Sequence, residues 1–458
     1  MHIGRYEIRG LLGRGGMGAV YKAAMPVTGR MVALKALKPA GILLDIMGRD
    51  ALTNLFLGEA TTMARISHAN VASILDVDEG NDATPPHFTM EYYCGNLGAL
   101  MGETYAVEHL SRRLGARAAL HLARQMLHGL DRLHYEGIVH RDVKPFNIML
   151  AEDEGGLGTV KLIDFGLSRL RGERPPRHPG MVVGSPWYTA PEQEADPDSA
   201  DNRADLFSVG VTLYRMLTGR LPNADRESTP LQADPDLSGP DWDGFFTRAL
   251  AANPDDRHAD APAMLDALDQ LEADWLAARD AACSGADLLA ETAQPDTGHA
   301  RSTPVKVGAR QARPFFGLDE LWRPTNTAPA IFADQGDGTV LQPEPGGPGR
   351  GLVWERHGSR YPLTWERARA HAARLDKNAF GGRTGWRLPT VDELTGLFGR
   401  AAHPGSSCQA PVFDPRTARL WSADTKAFTA AWYADAELGY IGWQDRTCRF
   451  FARAVCPA

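Results

Sequence analysis

The sequence predicts an α+β protein built as two globular units joined by a linker, and three observations carry that expectation. A glycine-rich stretch, LLGRGGMGAVYKA at residues 11–23, is flanked by apolar residues at strand spacing, among them Tyr6, Ile8, Val20 and Tyr21. A polar cluster, HRDVKPFN at 140–147, is followed by DFG at 164–166. Behind both, residues 279–314 turn to Ala, Gly, Thr, Pro and scattered charge, a composition that buries little surface and reads as a flexible linker. Residues 315–458 are then rich in tryptophan: Trp322, Trp354, Trp365, Trp386, Trp421, Trp432 and Trp443.

The glycine stretch fits G-x-G-x-x-G-x-V through Gly13, Gly15, Gly18 and Val20, with Gly16 inside it. Glycines also punctuate ordinary hairpin turns, so the pattern alone says little. Its context is strand–loop–strand, whereas a dinucleotide fingerprint runs from strand into helix. Bare glycines at such a tip let backbone N–H groups approach phosphate oxygens. The next apolar run, MVALKAL at 31–37, carries Ala33 and Lys35. A lysine in a strand is ordinarily a solvated edge residue. The helix expected over 50–66 carries Glu59, whose plain reading is an exposed helix charge.

The polar cluster is more specific. Asp142, Lys144 and Asn147 stand at i, i+2 and i+5, and Asp164 follows on a second segment. Phosphoryl transfer from ATP needs such a set. One carboxylate orients a hydroxyl, a cation meets the γ-phosphate, and an amide with a second carboxylate holds Mg²⁺ through hard oxygen ligands.

With APEQ at 190–193, DLFSVGVTLYRMLTG at 205–219 and NPDDR at 253–257 arriving in order, residues 1 to about 275 resemble the bacterial eukaryotic-like serine/threonine protein kinases. The resemblance implies a bilobal kinase fold over 1–278, ATP and Mg²⁺ as cofactors, and protein substrates phosphorylated on Ser or Thr. It implies that Asp142 accepts or orients the substrate proton and that Lys144 neutralises the migrating phosphoryl group. Asn147 and Asp164 would hold the metal, and Lys35, paired with Glu59, would meet the α- and β-phosphates. Gly13, Gly15, Gly16, Gly18, Val20 and Ala33 would line the nucleotide. Met90 would be the gatekeeper, and Glu91 and Tyr92 the hinge whose backbone meets adenine. His140 would be packed scaffold, Asp205 an anchor for the catalytic loop, and Glu192 with Arg257 a buried ion pair.

Regulation departs from the family pattern. Arg141, beside Asp142, is usually a receptor for a phosphorylated activation-loop residue, yet residues 169–184 contain no Ser, Thr or Tyr. Ser168 precedes that stretch and Ser185 follows it. Arg169, Arg171, Arg174 and Arg177 make it basic, which is either a solvated surface or an attraction for an acidic segment.

Composition agrees. The 458 residues are 43% hydrophobic and 23% charged, ordinary values for globular protein with substantial cores. A net charge of −8 argues against a general nucleic-acid binder. No run of eighteen apolar residues suggests a membrane span, and no export signal is visible at the start. Cys94, Cys283, Cys408, Cys448 and Cys456 lack zinc spacing and are too sparse for a disulfide framework. The expected setting is a reducing cytoplasm.

In the second unit, strands are expected at GLVWER and FFARAV. A helix is expected near Thr364, and another after GWRLPTVDEL, where Thr390 and Glu393 suit a capping box. TGWRLPTVDELTGLF, LWSADT, AWYAD and a terminal RAV strand resemble the Lcl C-terminal family, implying a C-type-lectin-like α+β domain distantly similar to formylglycine-generating enzymes. Cys448 and Cys456 do not show the cysteine arrangement that chemistry needs. The resemblance implies ligand recognition, and some such domains are targets of sequence diversification. Phe428, Trp432, Tyr433, Tyr440, Trp443 and Gln444 are the candidate ligand surface, because Tyr and Trp supply rigid contact area. The alternative is that these aromatics are core. Thr292, Thr297, Ser302 and Thr303 in the linker are candidate autophosphorylation sites. Two functional readings follow from these resemblances. One is a kinase whose C-terminal domain recruits or senses a protein partner. The other is a non-catalytic ATP-binding scaffold carrying a ligand-binding module.

Overall fold

The computed structural model describes residues 1–104, 109–151, 158–164, 186–195, 200–222, 231, 234–282, 300–325, 331–343, 351–398 and 408–458. The first unit opens with a six-stranded antiparallel sheet. Its spatial order is His2–Ile3, Tyr6–Arg14, Gly18–Ala24, Met31–Leu37, His87–Glu91 and Ile74–Asp78. The helix Arg49–Ala64 buries Leu52, Phe56, Ala60 and Met63. Phe56 and Ala60 pack with Ala33, Phe88 and Met90 of the sheet.

The chain then passes into a helical lobe. Helix Ala116–Tyr135 buries one apolar face and packs against helices Asn202–Thr218 and Ala261–Ala282. Asn202–Thr218 is buried almost all round, consistent with the apolar run FSVGVTLYRML, and Asp201 caps its first turn by accepting from the Arg203 amide. Between the lobes lies a small sheet of Gly95–Asn96, Ile148–Ala151 and Thr159–Leu162.

The second unit holds two antiparallel sheets. One, of four strands, orders Ala333–Asp334, Thr339–Pro343, Gly351–Glu355 and Val455–Pro457. The other has three: Arg419–Thr425, Ala430–Asp435 and Tyr440–Asp445. Helix Trp365–Lys377 covers Ala368 and Ala372, and the short helix Val391–Thr395 starts at a complete Thr390–Glu393 capping box. Arg387 pairs with the buried Glu393 at 2.6 Å, and Trp386 and Leu388 are buried.

The linker expectation needs correcting at both ends. Helix Ala261–Ala282 runs past residue 279, and residues 301–316 belong to the second unit. Val307, Ala312 and Phe316 enter its core, the Val305 amide donates to Asp424, and the Val307 amide donates to the Thr425 carbonyl. Arg301 pairs with Asp392 and Asp424 at 3.2 and 2.9 Å. A few apolar side chains at the right register outweigh a polar average composition. Ser302 and Thr303 are exposed beside this edge, whereas Thr292, Thr297 and Cys283 lie outside the described residues.

Candidate active site

Sheet register assembles the first wall of the site. Val20 stands opposite Gly13 on one side and Lys35 on the other, and Lys35 in turn stands opposite Phe88. Ala33 pairs with Met90. Ala33 and Met90 are buried in one apolar cluster against which Val20 packs, which forms an apolar ceiling and back wall. The glycine loop closes through Gly15 N–H donating to the Gly18 carbonyl at 2.8 Å. A Cβ on Gly18 would lie 2.2 Å from the Ala36 carbonyl oxygen, so only glycine fits there. A Cβ on Gly13 or Gly15 would meet nothing within 4 Å, and one on Gly16 would touch Leu43 at 3.6 Å. At Gly13 and Gly15 the fold itself therefore does not demand glycine.

Lys35 is buried, and its ammonium donates to Asp164 at 2.8 Å while Glu59 lies 3.9 Å away. From the other lobe, Lys144 bridges both carboxylate oxygens of Asp142 at 2.8 and 2.9 Å. The Asn147 amide nitrogen donates to the Asp142 carbonyl and to its Oδ2, both at 2.8 Å, which turns the amide oxygen the opposite way. Asp164 and Arg141 adopt φ of 58° and 64°. Left-handed backbone in non-glycine residues costs energy, and here it falls on the residues that present the site.

Support comes from beneath. Asp205, fully buried on helix Asn202–Thr218, accepts from the His140 and Arg141 amides at 2.8 and 2.7 Å and pairs with His134 Nε2 at 2.8 Å. His140 is completely buried. Arg257 is buried and grips Glu192 with two bonds of 2.6 and 2.7 Å, while also donating to the carbonyls of Ala251, Ala252 and Arg203. The side chain of Arg141 reaches the Ala200 carbonyl at 3.5 Å. Ser168, Ser185 and the arginines at 169, 171, 174 and 177 lie outside the described residues, as do Phe165 and Gly166.

The hinge segment is tied laterally. Glu91 pairs with Arg30 at 3.1 Å and accepts from the Tyr93 hydroxyl at 2.8 Å. Burial, with help from Glu91, pushes the Tyr93 phenol well above its usual range.

The six residues read as a ligand surface on the second unit do not share one exposed face. Trp432, Tyr433 and Tyr440 are buried, and Trp443 and Gln444 are partly covered; Phe428 alone of the six is exposed, at 85%. Trp432 donates to the Val307 carbonyl and stacks with Trp322, and Tyr433 and Tyr440 share a hydroxyl–hydroxyl bond of 2.8 Å. Neighbouring strand residues point to opposite faces, and here both faces are covered, Trp432 in one apolar cluster and Tyr433 in another, so a cluster of aromatics is not by itself a surface.

Part of this region faces the hinge instead. Gln444 donates to the Cys94 carbonyl, and Cys94 is bonded to Cys448, with Cα atoms 5.9 Å apart. This single pairing goes beyond the expectation of cysteines too sparse for a disulfide framework. The partners are separated by 354 residues, so no spacing could reveal it. Lys22, on strand Gly18–Ala24, pairs with Asp445 at 2.7 Å, donates to Thr447 at 2.6 Å and lies 4.9 Å over the Tyr92 ring. Arg112, in the helical lobe, donates to the Leu321 carbonyl at 2.9 Å and sits 3.7 Å over the Tyr440 ring. Leu438 packs against the helical-lobe core. A small cavity remains between the units, lined in part by Cys94, Leu100, Leu150, Tyr433, Gln444 and Phe450.

Comparison with known proteins fits this architecture. Residues 6–237 match the family model for the protein kinase domain, and residues 348–456 match that for the Lcl C-terminal domain. Serine/threonine-protein kinase Pkn1 of Myxococcus xanthus is 36% identical over 282 residues, covering 58% of this chain and 38% of that protein. PksC of Streptomyces coelicolor, another serine/threonine-protein kinase, is 36% identical over 304 residues, covering 62% of this chain and 52% of its own. The match thus spans about half of the curated relatives' length or less. A solved PknI kinase domain from Mycobacterium tuberculosis aligns over 59% of this chain and 97% of its own, at 27% identity and a TM-score of 0.42. The first half of the sequence, with its two-lobed fold and its ordered motifs, places the chain in the protein kinase domain family, with an Lcl C-terminal domain behind it.

Proposed function

We propose that the chain is a serine/threonine protein kinase that transfers the γ-phosphate of ATP to hydroxyls of protein substrates. The observation that carries this reading is that two hydrogen-bonded sets, Lys35 with Asp164 and Asp142 with Lys144 and Asn147, are joined where the Ile163 amide, next to Asp164, donates to the Asn147 carbonyl at 3.1 Å. The donor set fits a magnesium nucleotide. Asp164 and the Asn147 amide oxygen are hard oxygen ligands, and glycine positions that the fold does not require leave room for phosphate. Mg²⁺ bound by Asn147 and Asp164 would supply positive charge to the phosphate oxygens.

The chain's own residues then have separable tasks. Lys35 places a buried cation beside Asp164, where the phosphates of a nucleotide would lie. Asp142 holds a carboxylate that can take the hydroxyl proton of a substrate, and Lys144, bonded to that carboxylate, adds charge at the transferring group. The Asp205 bonds fix the loop carrying Asp142, so its position is settled before substrate arrives. The apolar wall of Val20, Ala33 and Met90 suits a planar base. Ser or Thr as acceptor is consistent with Lys144.

Transfer of label from γ-labelled ATP to a generic protein, compared between wild type and Asp142→Asn, tests this. Loss of a positioned general base should lower the rate by roughly 10²–10⁴. Equal rates, or nucleotide binding without transfer by wild type, would favour the scaffold reading.

For the second domain we propose partner recruitment, supported by Phe428, whose exposed ring lies beneath the Lys306 ammonium at 4.0 Å. Phe428→Ala should weaken phosphorylation of a natural target while sparing a generic peptide; equal loss on both contradicts it.

A further inference from the structure

The second domain touches both lobes, and its contacts straddle the hinge. On the sheet lobe the anchor is Lys22, only 5% exposed, whose charge is neutralised by Asp445. A lysine that buried needs a counter-ion, and Asp445 of the second domain lies at 2.7 Å from its ammonium. On the helical lobe the anchor is Arg112, 2% exposed and already fixed by bonds to the Ala99 and Leu100 carbonyls. A third N–H and its cationic face are directed at Leu321 and Tyr440. Between the two anchors stands Cys94–Cys448, two residues beyond Tyr92.

We propose that the segment 440–448, with Leu321, forms an intramolecular docking surface for the kinase hinge, making the second domain a strap across the lobes whose catch is the Cys94–Cys448 disulfide. In the oxidised chain the strap limits the angle through which the lobes open and so slows exchange of nucleotide. Lobe opening and product release commonly set turnover in enzymes that close over their substrate. A dithiol reductant releases the catch. Its thiolate attacks Cys94 Sγ, the half-buried sulfur, and the buried Cys448 leaves as a thiolate that takes up a proton. The second thiol of the reductant then attacks the mixed disulfide and leaves Cys94 as a free thiol. Two electrons and two protons pass to the protein, and the reductant departs as its own disulfide. The Lys22–Asp445 and Arg112–Tyr440 contacts survive, but without the covalent tether they hold the strap only as one state of an open–closed equilibrium.

This inference rests on the nucleotide site proposed above, and its test separates the two. Release of a fluorescent ADP analogue from the full chain is followed by stopped flow. The oxidised sample is verified by non-reducing peptide mass spectrometry, and a second sample is treated with dithiothreitol. Reduction should speed release roughly tenfold, and Cys448→Ser in oxidising buffer should match reduced wild type. Amide hydrogen exchange over residues 88–96 without nucleotide gives a second reading on the wild-type chain, independent of any variant's folding, and should accelerate on reduction. Redox-insensitive release and exchange overturn the strap even where phosphoryl transfer is intact. Absent transfer with redox-sensitive exchange overturns the kinase reading and leaves the strap standing.

Discussion

Lys35 illustrates what spacing could and could not say about a residue. Its strand was legible from the apolar run MVALKAL, whereas the register that sets it opposite Val20 appears only in the structure. Its immediate partner, Asp164 at 2.8 Å, is closer than the Glu59 partner expected from the family, which stands at 3.9 Å. Lys35→Met should therefore abolish tight ATP binding, measured by calorimetry on protein whose melting curve still shows a folded chain. Binding at wild-type affinity would contradict the assignment. Glu437 makes a different prediction. Burial, reinforced by the neighbouring Asp435 charge, raises its carboxyl from 4.5 to about 7. The folded state thus holds a proton that the unfolded state has lost. This stability is fully present below about pH 4.5, declines as pH rises and is gone above about 7. Glu437→Gln should remove that decline, giving a higher melting temperature than wild type at pH 8 and the same one at pH 4. Parallel melting curves for the two proteins across this range would contradict the assignment. The six surface candidates show where residue type misleads. Tyr433 and Tyr440 fulfil their polar needs by bonding each other, so aromatic and polar chemistry together did not mean exposure.

At the scale of elements, the buried helix Asn202–Thr218 was readable from the apolar-rich motif DLFSVGVTLYRMLTG, and the Thr390–Glu393 capping box from its spacing. Both are local signals. The edge formed by residues 301–316 was not readable, because its anchors, Asp424 and Trp432, lie more than a hundred residues further along the chain. Arg257 is the element-scale staple most open to test. It ties Glu192 to the helices beneath it, and Arg257→Ala leaves a carboxylate facing buried carbonyls. The expected cost is about 3–5 kcal/mol of unfolding free energy by denaturant titration, and under 1 kcal/mol would show the pair to be dispensable. Thr390→Ala should cost about 1–2 kcal/mol by denaturant titration, through the lost cap and the lost bond from its hydroxyl to the Arg301 carbonyl.

For the whole molecule, family membership and the order of the units followed from motifs, whereas their relation did not. A disulfide joining residues 354 apart, an ion pair from Lys22 to Asp445 and a cation over Tyr440 are contacts between distant parts of the sequence, which no local pattern encodes. Among the described residues no helix is long and apolar enough to cross a membrane. What remains is a cleft between the lobes whose groups the motifs singled out one by one, overlaid by a second domain whose placement was not legible. The claim on which the rest depends is phosphoryl transfer at Asp142. It is tested most directly by incubating full-length wild type and Asp142→Asn with ATP, Mg²⁺ and a generic protein, then mapping phosphorylated residues by mass spectrometry. The expected result is phosphoserine and phosphothreonine with wild type and background with the variant. Equal phosphorylation by both proteins, or none by a wild type that binds ATP, would contradict it.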